Sequence, residues 1–138
     1  MMLPYPPSVN HYWRTWRGRV LVSARGRAYR QEVGALLFEN RPRKPPAAGR
    51  IALSIDAFPP DRRRRDLDNL PKSLLDALQH ASLYHDDSQI DILTIQRGRP
   101  RSPGVVAVRL AEFPLYVCPL CGVKIGDDFC VVPAIFDP

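Results

Sequence analysis

The 138 residues carry 20 Lys and Arg against 14 Asp and Glu, a net charge of +6 with a pI near 9.7, and a chain of this length fits one domain that buries about two-thirds of its unfolded surface. With 45% hydrophobic and 25% charged residues, wholesale disorder and collagen-like repetition are excluded, and no apolar run approaches the roughly 18 residues of a membrane span. Met1 to Pro7 lack the basic start and apolar stretch of a signal peptide, so a soluble protein in the cytoplasm, without a membrane partner, is expected.

In chain order, Leu3 to Ser8 is extended by its three prolines. Two short runs, His11 to Trp16 and Arg19 to Val22, flank Arg17-Gly18 and predict a β-hairpin, in which Tyr12, Trp13 and Trp16 are expected to pack rather than to stack on bases. Ser23 is placed to cap a helix over 24–39, with Tyr29, Val33, Leu36 and Leu37 on one face and Arg25, Arg27 and Arg30 on another. Residues 41–49 are a Pro-rich loop, and apolar positions 51, 53 and 55 mark a half-buried strand that Pro59-Pro60 stops. Leu70, Leu74, Leu75, Leu78 and Ala81 recur at helical spacing behind Asp68 as cap, with Pro71 in the first turn. Two further alternating runs, 90–97 and 105–110, joined by a Gly/Pro/Arg linker, predict a second hairpin. The order β-β-α-β-α-β-β implies an α+β domain, a small mixed β-sheet with packed helices.

Charge is unevenly placed. Residues 1–65 hold 14 Lys and Arg and 4 Asp and Glu, a balance of +10, whereas residues 66–138 hold 6 and 10, a balance of −4. Of the 20 cations 17 are Arg, whose planar fork matches phosphate oxygens, so the basic half is suited to nucleic acid.

Asp66 and Asp68 stand two apart in the extended lead into the second helix, so both carboxylates face one side while Leu67 turns inward. Two carboxylates held together repel unless a cation lies between them, which suits a Mg²⁺ site with oxygen ligands. Lys72 lies one helical turn beyond Asp68, and Asp86-Asp87 follows the helix as a further acidic pair, with His85 beside it. Helix-entry carboxylates favoured by capping and by the macrodipole are the plainer alternative. Arg62, Arg63, Arg64 and Arg65 abut the pair. A site anionic at its centre and cationic at its rim suits a phosphodiester, and the chemistry expected is hydrolysis assisted by Mg²⁺.

The run Asp61 to Leu70 with Lys72, Asp76-Ala77-Leu78 and Asp86 to Gln89, together with Pro6 to Asn10 and Val22 to Arg30, resembles the RusA family of Holliday-junction resolvases over about residues 3–112. The resemblance implies a RusA-like nuclease domain over 1–113 and a homodimeric, Mg²⁺-dependent endonuclease of the kind phages and prophages carry, acting on four-way (branched) DNA in recombination and repair. By position, Asp66, Asp68 and Asp87 match the family's essential carboxylates, which hold the Mg²⁺, and Lys72 its essential lysine, while Asp86 matches a neighbouring acidic position. Arg62 to Arg65, Arg25, Arg27 and Arg30 are the cations expected to bind DNA. Pro71 departs from the helix-compatible residue usual there. A less selective branched-DNA or flap nuclease and a non-catalytic DNA-binding protein are the competing readings, and the intact carboxylates and lysine argue against the second.

Residues 114–138 lie outside the resemblance. Cys118 and Cys121 have the spacing of half a zinc ribbon and Cys130 offers a third thiolate, so a structural Zn²⁺ is one expectation for this tail and a remnant with free thiols is the other. Three cysteines describe no disulfide framework.

Overall fold

The computed structural model describes residues 1–45 and 49–112. Its elements run β1 (Met2–Pro4), α1 (Val9–Tyr12), β2 (Trp13–Trp16), β3 (Arg19–Val22), α2 (Ala24–Asn40), β4 (Ile51–Phe58), α3 (Asn69–His80), a short 3₁₀ turn (Asp87–Gln89), β5 (Ile90–Arg97) and β6 (Val105–Glu112). This is the expected α+β class. The cysteine tail lies outside the described residues.

Four strands form a sheet in the order β1-β6-β4-β5, and β2-β3 form a separate two-stranded sheet. β4 is one of the two inner strands, and in it Ile51, Leu53, Ile55 and Ala57 are at most 1% exposed while the residues between them are half-buried. One face of the sheet is therefore covered, and Val33, Leu37, Leu74, Ala77 and Leu78 of α2 and α3 join it in a single core with Val106 and Val108 of β6. In α3 that pattern is strongly amphipathic, as the leucine spacing requires.

The second predicted hairpin does not form. β5 pairs in parallel with β4, Leu53 opposite Leu93, and β6 pairs antiparallel with the other side of β4, Leu53 opposite Leu110. The two most apolar strands, β4 and β6, take the inner positions of the sheet, and the helix α3 returns the chain for a parallel neighbour. The linker after β5 then crosses the end of β4, held where the Gly98 N–H donates to the Ala57 carbonyl at 2.8 Å.

Two corrections concern the N-terminal region. The extended start contains a true strand, β1, antiparallel to β6 with Leu3 opposite Val106. His11 and Tyr12 are not in the hairpin but close the helical turn α1, whose Tyr12 N–H donates to the Ser8 carbonyl at 2.9 Å. Tyr12 is fully buried and meets Trp13 edge to face, ring centroids 5.0 Å apart, as the packing expectation has it. Trp16 does not pack: it is 58% exposed.

Ser23 caps α2 as expected, its side chain accepting from the Gly26 N–H at 3.0 Å. Gly26 is required there, since a Cβ would meet the Tyr12 carbonyl oxygen and Val22 Cγ1 at 2.7 Å. Among the described residues no helix is long and apolar enough to cross a membrane.

Candidate active site

Asp66 and Asp68 are both exposed, with Leu67 half-buried between them, so the alternation read from the sequence holds. Asp68 occupies the N-cap of α3 but makes no side-chain capping bond; its φ and ψ of −64° and −25° are already helical. The plain capping role is thus not taken up, and the first turn instead uses Leu70 N–H to Leu67 carbonyl at 3.2 Å. Pro71 is accommodated in that first turn without displacing the helix start. Lys72 is exposed one turn on. Among the described residues the side chains of Asp66, Asp68 and Lys72 have no hydrogen-bond or ion-pair partner. Unpaired carboxylates beside an unpaired ammonium on one helix start are groups left available to a ligand.

Asp66 lines a cleft of about 530 Å³ with Asn10, His11, Arg25, Arg63, Arg64, Arg65 and Asn69, floored by Pro6, Pro7 and Leu70. The cleft joins α1, the start of α2 and the arginine run to one of the paired carboxylates. It does not include Asp68, Lys72, Asp86 or Asp87. Asn10 and Asn69 join the cleft through the fold, since no spacing in the sequence links residues 59 apart.

The arginine run divides. Arg65 grips Asp61 with both terminal nitrogens, at 2.6 and 3.0 Å, and lies over the Tyr5 ring. That guanidinium, and then the Arg63 N–H, hold the Asp61 carboxyl down at about 2. Arg62, Arg63 and Arg64 are exposed. Of the α2 cations, Arg25 and Arg27 are exposed, Arg27 donating to the Val22 carbonyl at 2.8 Å. Arg30 is committed inward: its Nε donates to Asp76 Oδ2 and to the Tyr12 hydroxyl, each at 2.8 Å. Tyr12 also donates to Asp76 Oδ2, and burial followed by that bond pushes its phenol up to about 12.

The adjacent carboxylates after α3 differ in environment. Asp86 is the cap of the 3₁₀ turn: it accepts from the Ser88 N–H at 2.9 Å, and Gln89 Oε1 accepts from the Asp86 N–H at 3.1 Å. The Ser88 side chain and then the Ser88 N–H lower its pKa, with a smaller effect of His85. Buried Gln89 ties the turn to the entry of β4 through the Gly49 carbonyl at 2.7 Å. Asp87 uses Oδ1 to accept from the Tyr84 hydroxyl at 2.8 Å. Tyr84 itself is buried against α3, 3.0 Å from the Leu75 carbonyl.

Among the described residues no three His, Cys, Asp or Glu side chains converge into a closed metal cage. The donor set nonetheless fits Mg²⁺, which takes oxygen ligands and is held by one or two carboxylates with waters and substrate phosphates rather than by an all-protein shell.

The comparisons with known proteins agree with this chemistry. The family model described as endodeoxyribonuclease RusA matches residues 4–110. The chain is 38% identical over 111 residues to the crossover junction endodeoxyribonuclease of Enterobacteria phage HK97, covering 80% of this chain and 92% of that protein. It is 48% identical over 88 residues to the crossover junction endodeoxyribonuclease of Escherichia coli K12, covering 64% of this chain and 72% of that protein. The crossover junction endodeoxyribonuclease of Enterobacteria phage 82 is 46% identical over the same length.

Proposed function

The chain belongs to the RusA family of endodeoxyribonucleases, and on that premise we propose that it resolves four-way DNA junctions by Mg²⁺-dependent hydrolysis of paired phosphodiesters, in recombination and repair in the cytoplasm. The observation that supports this reading is the exposed pair Asp66 and Asp68, whose side chains are free of partners among the described residues, with Asp66 in a cleft it shares with Arg25, Arg63, Arg64 and Arg65. In this reading residues 1–113 are the nuclease domain.

Asp66, Asp68 and Asp87 are the carboxylates that would hold the Mg²⁺, directly or through its waters, while Asp86 is engaged in its own turn. When bound, the ion supplies Lewis acidity toward the phosphodiester and the attacking water. Lys72 offsets the charge that grows on the phosphoryl and leaving oxygens. Arg25, Arg62, Arg63 and Arg64 grip flanking phosphates, which fixes the strand in register but reads no sequence. Cutting two opposed strands needs two sites, and a two-fold homodimer is the simplest assembly that supplies them.

The test uses labelled four-way, three-way and linear DNA, with Mg²⁺ or with chelator. Asp66→Asn, Asp68→Asn and Asp87→Asn should each abolish cleavage of the four-way substrate and leave binding in chelator within about threefold, because affinity rests on phosphate contacts. Lys72→Ala should lose cleavage without losing metal affinity. Near wild-type cutting by an Asp variant removes that residue from the ligand set, and equal cutting of all three DNAs removes the junction from the substrate. Light scattering that returned only monomer would contradict the dimer.

A further inference from the structure

The hairpin β2-β3 projects from a fixed root. Ser23 N–H donates to the Tyr12 carbonyl at 2.8 Å, Gly26 packs against that same carbonyl and Val22, and half-buried Trp13 lies against Tyr12. The turn is tight, since Arg17 and Gly18 both take positive φ, 48° and 72°, the geometry that matches strand twist in a two-residue hairpin. Register then sorts the side chains. Arg14 stands opposite Leu21 and Trp16 opposite Arg19, so these four share one face of the ribbon. All four are exposed, and the Arg17 guanidinium lies 5.7 Å from the Trp16 ring centre. An indole thus stands beside the turn of a hairpin anchored at its root, with guanidinium groups near it.

Charge says what this face meets. Residues 1–31 contain six Arg and no Asp or Glu. Among the described residues Arg14, Arg17 and Arg19 have no ion-pair partner. A second copy docking hairpin to hairpin by two-fold symmetry would set this cationic face against itself, which like-charge contact opposes. Nucleic acid offers the complement: phosphates for the guanidinium groups and a base face for the indole. Continuous duplex hides its base faces in the stack, so an aromatic platform finds one only where stacking is interrupted.

We infer that β2-β3 is a branch-point probe, in which Trp16 stacks on a base exposed where the arms of a DNA junction diverge, while Arg14, Arg17 and Arg19 hold the adjoining phosphates. This inference rests on the junction-resolving reading and assigns Trp16 as a residue that sets specificity for branched over linear DNA.

The test measures binding of the full chain to a labelled four-way junction and to linear duplex of the same sequence, in chelator so that nothing is cut. Trp16→Ala should weaken junction binding about tenfold or more, change duplex binding less than twofold, and abolish the fluorescence change of a 2-aminopurine placed at the branch. Trp16→Phe, which keeps an aromatic face, should restore most of the preference. Arg14→Ala with Arg19→Ala should weaken both DNAs alike and lower the salt dependence of each. Equal loss on junction and duplex in Trp16→Ala, or no loss, overturns the inference while leaving the nuclease reading in place. Conversion of a dimer to monomer by Trp16→Ala also overturns it, since the hairpin would then be a protein interface. A wild-type chain with no junction preference overturns the underlying reading and this one with it.

Discussion

Tyr84 donates its phenol proton to Oδ1 of Asp87 across 2.8 Å, and this bond separates the roles of two adjacent carboxylates. Burial first, and then the bond to Asp87, raise the Tyr84 pKa, so the phenol keeps its proton and remains a donor. The Leu75 carbonyl at 3.0 Å competes for that proton, but the charged carboxylate is the stronger acceptor. One oxygen of Asp87 is thereby oriented and the other is left outward, whereas Asp86 is engaged with the backbone of its own turn. Tyr84 is a positioning residue. Tyr84→Phe should raise the Mg²⁺ concentration for half-maximal cleavage about tenfold, the usual scale for groups that orient a ligand, and weaken Mn²⁺ binding to the DNA-free protein in parallel. Junction binding in chelator and thermal stability should change little. A lower maximal rate at an unchanged metal requirement would refute this role.

The cluster of Arg30, Asp76 and Tyr12 ties α2, α3 and α1 together, with the Arg30 and Asp76 side chains only 20% and 26% exposed. Asp76→Ala leaves a buried phenol and a guanidinium without their acceptor and should lower stability by about 2 kcal/mol in urea unfolding. Because Arg30 faces inward, Arg30→Ala should destabilise similarly yet leave the salt slope of DNA binding unchanged. Arg25→Ala, in the cleft, should reduce that slope by about 1 with little effect on stability. An equal fall in slope for both variants would return Arg30 to the DNA surface.

Acid should loosen the arginine run before it unfolds the core. Arg65 and the Arg63 N–H lower Asp61 from its ordinary 3.8 to about 2. A folded value below the unfolded one contributes stability that is fully present above 3.8 and is lost as pH falls toward 2. Asp86 and Asp91, also lowered, the latter by Arg50, act in the same direction. Asp61→Asn should therefore be less stable than wild type at neutral pH, and the gap should close as the pH approaches 2. A gap independent of pH would show that the pair makes no linked contribution.

For the tail, whose cysteines lie outside the described residues, the expectation is a structural ion distinct from the hydrolytic centre, since thiolates suit zinc and the carboxylates suit hard cations. Elemental analysis should find about one zinc per chain. Cys118→Ser with Cys121→Ser should release it and leave cleavage intact. Protein purified without chelator and free of zinc would favour free thiols.

What the sequence made legible followed from local periodicity. The leucines of α3, the alternation in β4 and the Ser23 cap all appear where spacing put them. What it hid was non-local. Adjacent strands 90–97 and 105–112 read as a hairpin, and only the competition for the centre of the sheet inserts β4 between them. A strand as short as Met2–Pro4 has no periodicity to detect. Asp76, one turn past Lys72, reads as a surface carboxylate until Arg30 and Tyr12 arrive from 46 and 64 residues away. Tyr84 carries no spacing signal for its bond to Asp87, which only the fold brings about.

The pairing of Leu3 with Val106 sets the order in which the molecule is completed during synthesis. β1 waits for its place, because its partner is made about a hundred residues later, some seconds to tens of seconds at ordinary elongation rates. Tyr5, Pro6 and Pro7, which line the cleft beside Asp66, follow directly on that strand. A nascent or truncated chain lacking β6 therefore has its carboxylates but neither the antiparallel neighbour of β4 nor the strand that seats this wall of the cleft.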